Sequence, residues 1–189
     1  MKTLIILGNT RKNSNTETLA RLFADELIAA GETDISFVSL MENKIKTCVG
    51  CDKCHSDLKS FGCVLKDDMK GIAKEILLSD LVVFASPIYT WMPTPPLKAV
   101  MDRIYAFTKY PKDGDAFNLL KNQKLAMIAT SGDDCATNCD LFDESVRRMA
   151  KFANLEYLGY LAAKDHGDGD IIKEQVFVDT RAFVQKCIE

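Results

Sequence analysis

The sequence predicts an α/β fold: a doubly wound, five-stranded parallel sheet in the order 2-1-3-4-5, with helices on both faces. Two observations predict it. Apolar runs of strand length recur at residues 4–7, 35–38, 81–85, 125–129 and 157–161. The segments between them place their apolar residues at helical spacing. Parallel strands need crossover connections, and right-handed crossovers lay helices on either side of the sheet.

Taken in order, the first strand leads into nine polar or glycine residues, 8–16, before a helix marked by Leu19, Leu22, Phe23, Leu27 and Ile28. The second strand is followed by a cysteine-rich loop at about 47–66 and a helix marked by Ile72, Ile76 and Leu77. After the third strand comes "SPIYTWMPTPPLKAVMDR", residues 86–103, and Leu97, Val100, Met101 and the following Ile104 mark another helix. The fourth strand gives way to "TSGDDCATN", residues 130–138, and a helix over 138–152; the fifth precedes a helix over 171–187. In such sheets ligands lie beyond the carboxyl ends of the strands, where the strand order reverses between the first and third. The loops after those strands are therefore the ones expected to carry the chemistry.

Composition narrows the class. A chain of 189 residues fits one domain, 1–189. Its 24 basic and 27 acidic residues are interspersed and leave a net charge of −3, which argues against a nucleic-acid surface, since duplex binding needs clustered cations. No segment approaches the roughly 20 apolar residues of a membrane span, and the first apolar run is too short for a signal peptide. The expected location is cytoplasmic. There, seven cysteines read as reduced, metal-bound or redox-active thiols more than as a disulfide framework.

The first loop, "GNTRKNSNT", is longer than the usual strand-to-helix connection of about 2–6 residues. A helix N-terminus offers unpaired N–H groups, and Asn9, Thr10, Arg11, Ser14, Asn15 and Thr16 add further donors, so anion binding and helix capping both account for the composition. The loop lacks a Gly-Lys-Ser/Thr ending and the extra glycines of a dinucleotide fingerprint. One glycine with many hydroxyls and amides suits a terminal monophosphate better than a diphosphate. In the loop after the third strand, prolines at 87, 93, 95 and 96 stiffen the backbone around Tyr89, Trp91 and Met92, a rigid aromatic surface suited either to a planar ring or to packing on the protein itself. Thr130, Ser131 and Gly132 offer N–H groups for a ring carbonyl, or simply a turn.

"GNTRKNSNTETLA", "CVGCDKC…CVLKDDM" and "SPIYTWMPTPPLKAVMDR" together resemble the NAD(P)H-dependent FMN reductase family of the flavodoxin-like superfamily, in particular its iron-sulfur flavoprotein branch. The resemblance covers roughly the first 105 residues at three ordered sites, and the rest agrees only in pattern. It implies a flavodoxin-like FMN-binding domain in which Asn9, Arg11, Ser14, Asn15 and Thr16 surround the FMN phosphate. By the same resemblance Pro87, Ile88, Tyr89, Thr90 and Trp91 line the isoalloxazine, and Thr130, Ser131 and Gly132 approach its other edge. Asn9 stands where the family more often has serine, and it too donates hydrogen bonds.

Cys48, Cys51 and Cys54 form C-x-x-C-x-x-C, with Cys63 after eight more residues. Three readings are open. Four thiolates are the usual ligand set of a 4Fe-4S cluster, although the last gap is longer than in cluster-binding relatives. The same cysteines, or three of them with His55, suit a structural zinc. Alternatively the thiols are free or cycle through a disulfide. Cys135, Cys139 and Cys187 read as small buried apolar residues, and His166 as a solvated loop residue.

The expected activity is electron transfer from NAD(P)H through bound FMN to a quinone, a flavin or an electron-transfer partner. No catalytic side chain is singled out, because the flavin carries the chemistry. The competing expectation is an electron carrier or redox-sensing module without turnover of its own. The resemblance also implies a homodimer or homotetramer, with Trp91 and Met92 suited to the contact.

Overall fold

The computed structural model describes residues 1–120, 122–165 and 171–189, so His166 lies outside the described residues. The elements run β1 (Lys2–Leu7), α1 (Asn15–Ala29), β2 (Asp34–Ser39), α2 (Met69–Leu77), β3 (Leu81–Pro87), α3 (Pro95–Ile104), β4 (Thr108–Lys109), β5 (Phe117–Asn118), β6 (Lys124–Ser131), α4 (Cys135–Asn138), α5 (Asp140–Ala153), β7 (Glu156–Lys164) and α6 (Glu174–Ile188). The main sheet is parallel throughout in the order β2-β1-β3-β6-β7. This is the expected 2-1-3-4-5 order. The numbering differs because β4 and β5 form a separate antiparallel pair, too short to show a period in sequence.

Strand alternation sorts the core into two layers. On β1, Leu4 and Ile6 join Val82, Phe84, Leu125 and Met127 under the α2, α3 and α5 side. Ile5 and Leu7 join Val83, Ala85, Ala126 and Ile128 under α1 and α6. Because both faces are covered, the central strands are apolar runs with no polar alternation. Burying each large apolar side chain contributes about 1.5–3 kcal/mol, so Phe23 and Leu27 on α1 and Phe142 and Val146 on α5 are what hold the helices down.

Several boundaries differ from expectation, and three of them bear on the loops after the strands. α1 begins at Asn15, not after Thr16, because Ser14 caps it: its Oγ accepts the Glu17 amide at 3.2 Å. β6 runs on to Ser131, so Thr130 and Ser131 belong to a strand end and not to a loop; they pair with β3 and β7. The helix expected over 138–152 is preceded by a separate four-residue turn of helix, α4, whose N-cap Asp134 accepts the Ala136 amide at 3.0 Å.

Candidate functional site

Three strand ends meet above the carboxyl edge of the sheet. Gly8, just past β1, donates its amide to the Ala85 carbonyl of β3 at 2.7 Å, and its own carbonyl accepts the Thr94 hydroxyl at 2.5 Å. A Cβ at position 8 would lie 2.9 Å from the Leu97 Cβ and 3.2 Å from the Ala85 oxygen, so only glycine lets the loop sit this close to α3 and β3. Ile88 continues the pairing by donating to the Thr130 carbonyl at 2.8 Å.

The cleft so formed encloses about 660 Å³, part of it open to solvent, and is lined by Asn9, Arg11, Ser14, Asn15, Thr16, Pro87, Ile88, Tyr89, Thr130, Ser131 and Gly132 together with Thr10 and Asp165. Asp165 was not singled out from sequence; its place directly after β7, at the carboxyl edge, was the available signal. Thr90 and Trp91 do not line it. They occupy the tip of a two-residue hairpin in which Tyr89 and Met92 exchange backbone bonds of 2.9 and 3.1 Å, and both have positive φ, +50° and +62°.

Within the cleft the donors divide into two groups. Asn9 is buried and braces the loop, giving Nδ2 to the Arg11 carbonyl at 2.8 Å, while its Oδ1 is buried without a partner. Thr16 and Thr130 share a buried 2.6 Å bond between hydroxyls, and the Thr10 and Tyr89 hydroxyls meet at 2.8 Å. The second group is free to act outward. The amides of Glu17 and Thr18 are taken by Ser14, but those of Asn15 and Thr16 find no acceptor among the described residues. Two N–H groups without an acceptor at the positive end of a 15-residue helix are chemically suited to an anion. At the rim, the amide of Asp134 and the Lys164 ammonium, 3.1 Å from Oδ1, hold the Asp133 carboxyl below the usual range.

The cysteines gather elsewhere. Cys48 and Cys51 are exposed, Cys63 is half-buried and Cys54 is buried, and all four line one hollow closed by the end of α3. The long gap between Cys54 and Cys63 folds back on itself. Asp57 accepts the amides of Lys59 and Ser60, and Gly62, at φ +68°, returns the chain so closely that a Cβ there would lie 2.6 Å from the Cys54 oxygen. Beneath the hollow, Arg103 pairs with Asp67 and gives Nη2 to Cys63 Sγ at 3.3 Å. Burial pushes the Cys54 thiol up, and the neighbouring Cys63 adds to the shift. Among the described residues no three Cys, His, Asp or Glu side chains converge as a single metal ion requires. Sequence reasoning missed Arg103, whose neighbours Val100, Met101 and Ile104 gave only an apolar stripe.

Residues 1–141 match the family model for NADPH-dependent FMN reductase. The chain belongs to that family. Among its relatives, an iron-sulfur flavoprotein of Methanocaldococcus jannaschii is 31% identical over 103 residues, 54% of this chain and 51% of that protein. One from Archaeoglobus fulgidus is 32% identical over 111 residues, 59% and 49% of the two chains. The matches thus span about half the length of these relatives. The structure of an NAD(P)H:quinone oxidoreductase from Methanothermobacter marburgensis superposes with a TM-score of 0.77 over 100% of this chain and 99% of that one, at 16% identity, which establishes a shared fold. No helix among the described residues is long and apolar enough to cross a membrane.

Proposed function

We propose that the protein is an FMN-dependent oxidoreductase that passes electrons from NAD(P)H to a quinone, a flavin or an electron-transfer partner. The observation that carries this reading is that Asn15 and Thr16, whose amides find no acceptor among the described residues, line the cleft between the β1 and β3 loops. They suit a phosphate, with Arg11 on the same loop as the neutralising cation. The buried, unpartnered Asn9 Oδ1 is an acceptor suited to a hydroxyl donor such as a ribityl group. When bound, the isoalloxazine supplies the two-electron exchange.

The chain's own contribution is placement. Pro87, Ile88 and Tyr89 form a stiff wall, with the Tyr89 hydroxyl fixed by Thr10. Thr130, Ser131 and Gly132 offer polar groups to the ring edge across from it. The aromatic tip at Trp91, 50% exposed, suits a contact between copies in a homodimer or homotetramer, which sedimentation measures directly. A visible spectrum of the purified protein after adding FMN, followed by steady-state NAD(P)H oxidation with a quinone, tests the function. Absence of bound flavin sinks it, and bound flavin without turnover favours an electron carrier or redox sensor.

A second reading, that Cys48, Cys51, Cys54 and Cys63 hold a 4Fe-4S cluster, is favoured by their sharing one hollow and by the names of the relatives. Cubane ligands stand further apart than those of one zinc ion, so a hollow suits the four thiols better than a tight knot. Iron and sulfide assay after anaerobic purification tests it; less than about one iron per chain counts against a cluster.

A further inference from the structure

Lys109, on β4, is 0% exposed. Its ammonium donates to the carbonyls of Cys54 at 2.9 Å and Phe61 at 3.4 Å, and no carboxylate among the described residues is paired with it. An ammonium taken out of water and met only by carbonyls keeps much of its desolvation penalty, so a buried cation calls for a buried anion. The surroundings do not supply one. The Asp67 carboxylate is already engaged by Arg103, whose side chain is 1% exposed and which also touches Cys63. Asp57 acts on Lys109 from a distance but is exposed to solvent, and Asp102 is paired with Lys98. Two buried cations therefore stand against one buried carboxylate, next to the hollow that Cys54 and Cys63 line.

We propose that Lys109 is the counter-charge of the cysteine hollow: it balances the negative charge of a thiolate-ligated iron-sulfur cluster held there and raises that cluster's reduction potential. The inference rests on the cluster reading above. A fixed cation favours the added electron, and cluster potentials follow net charge and hydrogen bonding to sulfur. Arg103 assists through its bond to Cys63 Sγ, but removing it would also strand Asp67, so Lys109 is the cleaner probe.

The test compares the wild type with Lys109→Gln, Lys109→Met and Lys109→Arg. Each is loaded anaerobically with ferrous iron and sulfide, assayed for iron, and titrated with dithionite under electron paramagnetic resonance. Removing the charge by Gln or Met is expected to lower the equilibrium constant for one-electron reduction at least tenfold, about 59 mV, while Arg stays near the wild type. The metal-free Gln variant is expected to unfold at a denaturant concentration no lower than the wild type, because it removes an uncompensated charge while keeping an N–H donor for the Cys54 and Phe61 carbonyls. A loaded Gln or Met variant with an unchanged potential overturns the proposal. So does a metal-free Gln variant markedly less stable than the wild type, which would make Lys109 a structural tie. A wild type that takes up no iron overturns the cluster reading and this proposal with it, and the iron assay tells that failure from the others.

Discussion

Thr16 and Thr130, separated by 114 positions in the chain, are joined by a buried 2.6 Å hydrogen bond between their hydroxyls. The bond ties the first turn of α1 to the end of β6, and so fixes one wall of the cleft against another. Removing one partner leaves the other unsatisfied, at about 1–3 kcal/mol. Thr130→Val is expected to lose that much stability in urea and to bind FMN more weakly by fluorescence titration. Adding Thr16→Val should cost less than the two single changes summed, because no orphaned hydroxyl is left. Additive losses would show that the two hydroxyls are not coupled.

Gly8→Ala is expected to cost about 1–3 kcal/mol and to impair flavin retention, since the new methyl meets Leu97 Cβ at 2.9 Å and a backbone oxygen at 3.2 Å. Chemical denaturation and the ratio of bound flavin to protein measure the two effects. An alanine variant as stable as the parent would mean that the loop can lift away from α3.

The hairpin tip makes an opposite prediction. Thr90 and Trp91 fill the two central positions, both with positive φ, that type I′ turns usually give to Asn-Gly. Left-handed backbone costs a non-glycine residue about 1–2 kcal/mol. Thr90→Asn with Trp91→Gly should therefore raise the denaturant midpoint. If NAD(P)H turnover falls at the same time, the indole acts on the flavin or on a neighbouring copy. Lower stability would show that packing of the half-exposed ring outweighs the strain.

Acid should loosen the cysteine hollow through Asp67. Burial pushes its carboxyl up, but the Arg103 guanidinium and the Lys46 amide outweigh that and hold it below its ordinary 3.8. A depressed value means the ion pair stabilises fully above that ordinary pH range and is lost as pH falls through the folded value. Asp67→Asn should cost about 3–5 kcal/mol at neutral pH, because it strands a guanidinium that is 1% exposed, and it should flatten the acid side of the stability profile. An equally steep acid limb in the variant would assign the loss to other groups.

Much of this was legible in the chain because it depends on local pattern. The apolar runs and their helical spacers specify five parallel strands and their order, and the polar stretch after Leu7 marks the switch-point loop. Boundaries were less legible. Ser14 caps α1 by reaching a specific amide, and nothing in composition tells a cap from a ligand donor. Asn9 and Thr16 likewise look like free donors in sequence, but they brace the loop, because the fold supplies the Arg11 carbonyl and the Thr130 hydroxyl. Burial of cations was hidden altogether. Lys109 sits in a stretch to which the sequence assigns no element and Arg103 beside an amphipathic stripe, and the chain running from Cys54 to Cys63 packs against both.

α3 begins beside Thr94, whose hydroxyl holds the Gly8 carbonyl, and its last turn carries Arg103, which holds Cys63 and Asp67. Ten helical residues span about 15 Å, so one short rod pins the loop between β1 and α1 at one end and the cysteine segment at the other. The spacing of the two regions is thereby set by a single inflexible element. Any shift of the rod along its axis would be registered by both at once.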